Sequence, residues 1–212
     1  MEHLQQLQAL YGYFPQFNEE QKQKFAALYE LYTDWNAKIN VISRKDIENL
    51  YEHHVLHSLA IAKLLNFKSG SSLMDLGTGG GFPGIPLAIL FPDVRFHLVD
   101  SIGKKLKVCE AVVKELDLKN VSFRHCRAEE EKAKFDFVVS RAVMPLADLV
   151  KIIRKNIRKE QQNALPNGLI CLKGGELAHE ILPFKKMAMS NPVSDFFNEE
   201  YFKTKQIVYL PL

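Results

Sequence analysis

Cysteine is scarce in this 212-residue chain, and its spacing excludes two kinds of site. Cys109, Cys126 and Cys171 form no C-x-x-C pair. The sequence therefore offers neither the ligand spacing of a zinc site nor an even set of disulfide partners. Reduced thiols are typical of the cytosol. We expect a cytoplasmic protein without a metal site.

Long apolar runs and a basic leader segment are also lacking. No run approaches the roughly 20 apolar residues that a membrane-spanning helix needs. The opening MEHLQQLQAL has no basic stretch before an apolar core, so we expect no signal peptide. The net charge is only +3, which permits an anionic partner such as a nucleic acid without requiring one.

Two hydrophobic periodicities divide the sequence near residue 66. Before this point, apolar residues recur every three or four positions, and Asn18 is a candidate helix cap. Beyond it, strand-like and helix-like segments alternate, as in a parallel sheet with helical crossovers. We predict a helical extension over residues 1–66 and an α/β domain over residues 67–212. The two final strands are expected within residues 195–212.

A glycine-rich turn, MDLGTGGGFPGIPLAIL at residues 74–90, follows the first predicted strand. A triphosphate-binding loop needs Lys and then Ser or Thr after its last glycine, whereas this turn continues with Ile-Pro. Three of its glycines do match the G-x-G-x-x-G spacing of dinucleotide folds. However, Phe82 and Pro83 crowd the helix N-terminus, where a pyrophosphate needs free N–H groups.

An acid at the end of the first strand points to a different ligand. Asp75 directly precedes the turn and is followed by Gly77 and Gly79. This arrangement suits a ligand that carries an amino acid with a positive ammonium group. We therefore interpret the turn as a site for S-adenosylmethionine.

Two further strand ends carry candidate contacts for an adenosine. Asp100 ends the second strand, where a carboxylate can accept from both ribose hydroxyls; the alternative is a helix cap. After the third strand, the Ala128 N–H and the Glu129 carboxylate can meet an adenine edge. The alternative for this EEEK segment is a solvated turn.

The end of the fourth strand, SRA at residues 140–142, constrains the methyl acceptor. It has no D/N-P-P-Y motif, which enzymes acting on exocyclic amines carry at this position. It also has no cysteine to activate a pyrimidine C5 by covalent addition. An acceptor that already has a lone pair, such as guanine N7, needs no general base, so we assign no catalytic residue. Catalysis would then be alignment of the reactants.

Basic and histidine clusters have a functional and a structural interpretation. We predict one helix carrying Lys151, Arg154, Lys155, Arg158 and Lys159, and another carrying Lys104, Lys105 and Lys107. These side chains either contact RNA phosphates or form solvated helix faces. His53, His54 and His57 lack further ligands at metal-binding spacing, so we predict no metal.

Six sequence segments together resemble the motifs of one protein family. These segments are DWNAKIN, HHVLHSL, DLGTGGGFPGIPLAI, LVDSIGKKLKVCE, RAEE and VVSRAV. The sequence is similar over about residues 25–175 to the bacterial glucose-inhibited division protein B family, the small-subunit rRNA guanine-N7 methyltransferases. Two positions depart from the family pattern: His57 stands where many members have Asp, and Gly80 where Pro is frequent.

This resemblance implies an α/β fold with a class I (Rossmann-like) methyltransferase sheet. The sheet is expected to be mostly parallel with an antiparallel C-terminal strand. The donor would be S-adenosylmethionine and the acceptor guanine N7 of 16S rRNA, within the small ribosomal subunit or an assembly intermediate; we expect a monomer. The resemblance implies cofactor contacts at Gly77, Phe82, Ala128, Glu129 and Arg141. The residues themselves add Gly79 and Asp100.

Three other functions remain open at this level. A dinucleotide-dependent oxidoreductase would share the glycine pattern, although Phe82 and Pro83 disfavour it. A small-molecule methyltransferase would share the cofactor site without needing basic helices. A non-catalytic ribosome-assembly factor would tolerate the loss of cofactor binding.

Overall fold

The helices of the chain surround a single sheet. The computed structural model describes residues 2–141 and 144–212. Its α-helices are α1 (Glu2–Tyr13), α2 (Glu19–Lys38), α3 (His57–Leu64), α4 (Gly84–Leu90), α5 (Gly103–Glu115), α6 (Leu146–Ile153) and α7 (Ala178–Ile181). A π-helical segment, Leu50–Leu56, leads directly into α3. None of these described helices has the length and apolar character needed to cross a membrane.

The sheet has seven strands in the order β3-β2-β1-β4-β5-β7-β6. They are β1 (Ser72–Leu76), β2 (Arg95–Asp100), β3 (Val121–His125), β4 (Phe137–Arg141), β5 (Gly168–Gly174), β6 (Met189–Pro192) and β7 (Lys205–Pro211). The first five strands are parallel, whereas β7 runs antiparallel to both β5 and β6. The prediction of a mostly parallel sheet with an antiparallel C-terminal strand is confirmed.

The N-terminal extension, residues 2–66, packs directly against the sheet domain. Asn18 caps α2 through a reciprocal box with Gln21: its side chain accepts the Gln21 N–H at 2.8 Å, as its position before the helix predicts. Along α2, Phe25 and Tyr32 are fully buried, and burying such a side chain stabilises the fold by about 1.5–3 kcal/mol. The Tyr32 hydroxyl donates to the Gly80 carbonyl at 2.5 Å. The extension therefore contacts the glycine turn itself.

Both faces of the sheet are covered by hydrophobic clusters. One cluster joins the extension, α4 and α5 to one face and includes Tyr32, Leu98 and Tyr209. The other packs α6 on the opposite face and includes Leu149 and Ile153. The division between two domains at residue 66 stays a prediction.

One predicted helix is shorter than its sequence suggested. The basic segment at residues 146–161 is α-helical only to Ile153 and continues as a short 3₁₀ turn, Arg154–Asn156. The backbone of Asn156 then accepts the Phe135 N–H at 2.7 Å, and Arg158 donates to the Phe135 carbonyl at 2.9 Å. This pairing requires extended backbone after residue 156, so the helix must end.

The prediction of two strands within residues 195–212 is wrong. Only β7 lies there, and its neighbour at the sheet edge is β6, which comes earlier in the chain. The segment Glu200–Thr204 is a 3₁₀ helix. Phe197 and Phe202 are both fully buried and lie 5.2 Å apart between ring centroids. Their burial against each other fixes a compact turn instead of a strand.

Candidate functional site

The candidate site lies where the parallel strands end. Strand register aligns Leu76 of β1 with Val99 of β2, so their carboxyl ends meet at one edge of the sheet. A cavity of about 480 Å³ opens at this edge. It is lined by five of the predicted site residues: Gly77, Asp100, Ala128, Glu129 and Arg141. Its volume falls within the range of small-molecule sites.

Asp100 connects the glycine turn to the start of α5. Its carboxylate is buried and accepts two backbone N–H groups, Gly79 at 2.8 Å and Ile102 at 2.8 Å. Gly77 and Gly79 have positive φ values of 68° and 57°, which glycine adopts without strain. A carboxylate has about four lone-pair positions, so Asp100 retains acceptor capacity on the cavity wall. The N-cap residue of α5 is Ile102, and Asp100 bonds the N–H of Ile102 before the helix, so Asp100 is not the helix cap itself.

Asp75 lies beneath the turn instead of in the cavity wall. Its carboxylate is fully buried and accepts the Thr78 hydroxyl at 2.6 Å and the Gly84 N–H at 2.8 Å. Burial raises the pKa of this carboxyl group to about 6. Our interpretation of Asp75 as the partner of a ligand ammonium is therefore replaced by a structural one: the side chain holds the turn against α4.

The first N–H groups of α4 are already bonded within the protein. Gly84 donates to Asp75, Ile85 donates to the Gly81 carbonyl at 2.7 Å, and Pro86 has no N–H. A pyrophosphate at a helix N-terminus requires such donors to be available. The turn is therefore unsuited to the phosphates of a dinucleotide.

Two predicted site residues, Gly79 and Phe82, do not line the cavity but contact residues that do. The Gly79 N–H donates to the Asp100 carboxylate. Phe82 is 2% exposed, and its ring lies 5.2 Å from the Arg141 guanidinium carbon and 5.0 Å from the Tyr32 ring. Phe82 therefore supports Arg141 and is not itself among the cavity-lining side chains.

A buried acid, Glu131, anchors the loop that follows β3. Ala128 and Glu129 lie in a short 3₁₀ turn, and Glu129 is exposed. Glu131, however, has a side-chain exposure of 0% and binds Arg124 at 3.1 Å and His97 at 3.2 Å. The interpretation of this segment as a solvated turn is thus wrong at Glu131.

Hydrogen bonds set the charge state of Glu131. Burial alone raises the pKa of its carboxyl group, but bonds from the Ala133 N–H, from His97 and from the Lys132 N–H, together with the Arg124 charge, hold it below its ordinary value. The carboxylate is therefore ionised, and it fixes the loop that carries Ala128 and Glu129.

Arg141 reaches from the end of β4 towards the extension. Its guanidinium donates to the His53 carbonyl at 3.2 Å and to the His54 ring at 3.0 Å. Both histidine rings also bind the carboxylate of Asp46. Among the described residues, no group of three or more His, Cys, Asp or Glu side chains is arranged to hold a metal ion. Ala142, the last residue of the SRA segment, lies outside the described residues.

The basic side chains predicted on the helix at residues 146–161 do not form one continuous surface. Lys151 is exposed on α6, while the Lys155 ammonium group donates to the Glu129 carbonyl beside the cavity. Arg158 lies 4.0 Å from Asp136, which precedes β4 at the opposite edge of the sheet. These cations point to different parts of the molecule because the helix ends early.

Sequence reasoning missed several residues of the cavity wall and its support. Arg127 and Met144 line the cavity, and so does Lys105, for which the sequence suggested either a phosphate contact or a solvated helix face. Arg127 directly precedes the predicted Ala128–Glu129 pair, so its place in the loop was a usable signal. No sequence spacing links Asp46 to Arg141, because 95 positions separate them.

Comparison with known proteins identifies a family for most of the chain. Residues 21–207 match the family model described as rRNA small subunit methyltransferase G. A protein with this name from Parabacteroides distasonis is 73% identical over 207 residues, covering 98% of this chain and 90% of the relative. Another, from Flavobacterium psychrophilum, is 52% identical over 97% of this chain and 98% of the relative.

Solved structures confirm the fold. The precorrin-6y C5,15-methyltransferase of Geobacter metallireducens aligns with a TM-score of 0.54 at 12% identity, covering 82% of this chain and 92% of its own. The fibrillarin of Aeropyrum pernix, solved with bound S-adenosyl-L-methionine, aligns with a TM-score of 0.53 at 14% identity, covering 74% and 76%. At such identities the likeness establishes a Rossmann-like methyltransferase fold and nothing finer.

Proposed function

Since this chain belongs to the rRNA small subunit methyltransferase G family, we propose that it transfers a methyl group from S-adenosylmethionine to N7 of a guanine in 16S rRNA. Family membership makes it an rRNA methyltransferase. The observation that carries the choice of donor is the occupied N-terminus of α4, where Gly84 donates to the buried Asp75. This turn favours a nucleoside-like ligand without phosphates.

The residues of the cavity fit such a donor. We propose that the Asp100 carboxylate accepts from two ribose hydroxyls and that the Ala128–Glu129 turn contacts the adenine edge; all three residues line the cavity. Gly77 lets the backbone approach the amino-acid part closely. Phe82 and Gly79 hold Arg141 and Asp100 in place from behind. When bound, the donor supplies a methyl group on a positively charged sulfur.

The acceptor chemistry demands little from side chains. Guanine N7 carries a lone pair and no proton, so the protein needs to align the base and exclude water, without a general base. Of the three cysteines, Cys126 lines the cavity. Burial raises the pKa of its thiol, which disfavours the thiolate that covalent addition would require. We therefore assign catalysis to alignment.

The RNA partner is proposed to be the small ribosomal subunit or an assembly intermediate. Lys105 and Arg127 line the same cavity and Lys155 lies beside it, so cations suited to phosphate contacts surround the site. We further propose that the protein acts as a monomer in the cytoplasm.

Borohydride reduction and aniline cleavage, followed by primer extension, test the acceptor atom. 16S rRNA treated with the protein and donor should show one new stop at a guanine, and untreated rRNA should not. Assembled subunits and naked 16S rRNA, assayed side by side, identify the form of the substrate. Methyl incorporation without a cleavable guanine would contradict the N7 assignment. Subunit binding without methyl transfer would indicate an assembly factor.

A further inference from the structure

A chain of hydrogen bonds links the N-terminal extension to the cavity wall. The Asp46 carboxylate binds the His54 ring nitrogen Nε2 at 2.7 Å, and the other ring nitrogen, Nδ1, lies 3.0 Å from the Arg141 guanidinium. Asp46 also binds His53 at 2.6 Å, and Asn49 donates to it at 3.2 Å. The π-helical segment Leu50–Leu56 carries both histidines into these positions.

The donors and acceptors in this chain fix the form of the His54 ring. A guanidinium can only donate, so Nδ1 must accept the bond from Arg141. The ring proton must then reside on Nε2, from which it is donated to Asp46. His54 is therefore the neutral Nε2–H tautomer, held between a carboxylate and a guanidinium.

These contacts orient the guanidinium without neutralising it. Arg141 donates to two neutral acceptors, the His54 ring and the His53 carbonyl, and lies over the Phe82 ring at 5.2 Å. Its positive charge thus remains available on the cavity wall that the residue lines. A planar guanidinium fixed in this way is suited to an anionic group such as a carboxylate.

We propose that Asp46 and His54 are positioning residues that hold Arg141 in the orientation required to bind the methyl donor. This inference rests on the proposed function, because it takes S-adenosylmethionine as the ligand of the cavity. It assigns the N-terminal extension a direct part in donor binding. Neither Asp46 nor His54 lines the cavity; both act through Arg141.

The charged groups around His54 agree with its neutral form. Arg141 faces it from β4, Asp46 from the preceding loop, and His53 from its own helical segment. Burial and the positive charge of Arg141 lower the pKa of His54 to about 4, against the opposing effect of Asp46. His54 therefore stays neutral across the physiological range.

Nitrogen NMR of the histidine rings tests the geometry without any ligand. At pH 7 the His54 ring should give the signals of a neutral Nε2–H tautomer, and these should persist on titration to pH 5.5. A ring protonated on Nδ1 at pH 7, whether neutral or charged, could not accept from Arg141 and would overturn the proposal.

Calorimetric titration with S-adenosylmethionine tests the consequence. We expect His54→Leu and Asp46→Ala to weaken donor binding by about tenfold, which corresponds to about 1.4 kcal/mol. His54→Asn should bind more tightly than His54→Leu, because the Asn amide oxygen lies near the position of Nδ1 and can still accept from Arg141. Asp46→Asn should likewise lose less than Asp46→Ala, because it keeps one acceptor.

Matched controls separate positioning from general damage. His179→Leu and Asp34→Ala replace exposed residues of the same types and should bind the donor as the wild type does. If His54→Leu is folded and binds the donor like these controls, the positioning role is wrong. If His54→Asn is as weak as His54→Leu, Arg141 is not held through this acceptor.

The two proposals fail in different ways. Wild-type protein that binds the donor but leaves guanine N7 unmethylated would contradict the proposed function and leave the positioning role intact. If the wild-type protein methylates guanine N7 and both Asp46→Ala and His54→Leu bind the donor with unchanged affinity, the proposed function stands and the positioning role is wrong.

Discussion

On one side of the cavity the Asp100 carboxylate is held by two backbone N–H groups; on the other, the Arg141 guanidinium is held by an imidazole and a carbonyl from the extension. The first arrangement depends on local chain geometry, namely a glycine turn and the start of a helix. The second depends on side chains brought together from distant parts of the sequence. We call the Asp100 side of the cavity the strand side and the Arg141 side the extension side. We expect substitutions on the strand side to cause large losses of donor affinity, and substitutions on the extension side to lower it in graded steps.

The largest effect is expected on the strand side. Asp100→Ala removes the acceptor for the Gly79 and Ile102 N–H groups and the proposed acceptor for the ribose hydroxyls. The loss should be about 1.5–3 kcal/mol in donor binding, roughly ten- to hundredfold in Kd by calorimetry. Asp93→Ala, which removes an exposed acid at the opposite edge of the sheet, is the control. Wild-type affinity in Asp100→Ala would mean that the carboxylate only accepts the Gly79 and Ile102 N–H groups and does not bind the donor.

This side was also the more predictable from sequence. Strand and helix periodicity placed Gly77 and Asp100 at neighbouring strand ends, because parallel strands finish at one edge. The glycines of the turn allow the positive φ of 57° that Gly79 adopts. These features depend on local backbone geometry, so short segments of the sequence are enough to predict them.

The support behind the site could not be predicted in this way. The burial of Glu131 could not be predicted, because it depends on Arg124 and on His97 from the neighbouring strand. Asp46 and His54 meet Arg141 only after the extension packs on the sheet. The early end of α6 follows from backbone pairing with Phe135, which no local propensity signals.

A smaller effect should follow from removing the buried support of the loop after β3 that carries Ala128 and Glu129. Glu131→Ala leaves the Arg124 and His97 side chains and two backbone N–H groups without their acceptor. Unfolding in urea at pH 7.5 should show a loss of about 1–3 kcal/mol in the free energy of unfolding. Glu130→Ala, at the exposed neighbouring position, should stay close to wild type. Equal stability of the two variants would contradict a structural role for the Glu131 carboxylate.

The smallest expected effect concerns a histidine on the extension side. His57 is 4% exposed, and neither ring nitrogen has a hydrogen-bond partner among the described residues. Burial, then the positive charge of Arg141, holds the pKa of this ring well below its usual range. The unfolded ring takes up a proton near pH 6.5 whereas the folded one does not. Protonation of this ring therefore does not affect stability above that pH, and stability is lost as the pH falls below it.

His57→Leu should remove this sensitivity. At pH 7.5 the variant should be more stable by on the order of 1 kcal/mol, since leucine leaves no buried polar atom unpaired. Between pH 7.5 and 5.5 its melting temperature should fall less than that of the wild type. His179→Leu, at an exposed position, should keep the wild-type pH dependence. A less stable His57→Leu with an unchanged pH slope would contradict a neutral, unpaired ring.

The most direct test of the account is a calorimetric comparison of two ligands on the wild-type protein. The α4 N-terminus has its Gly84 N–H bound to Asp75 at 2.8 Å and its Ile85 N–H bound to Gly81 at 2.7 Å, so it has no place for a pyrophosphate. Titration with S-adenosylmethionine should show one binding site per chain, and NAD at the same concentrations should show none. NAD binding of equal strength would contradict the assignment of the cavity to a methyl donor.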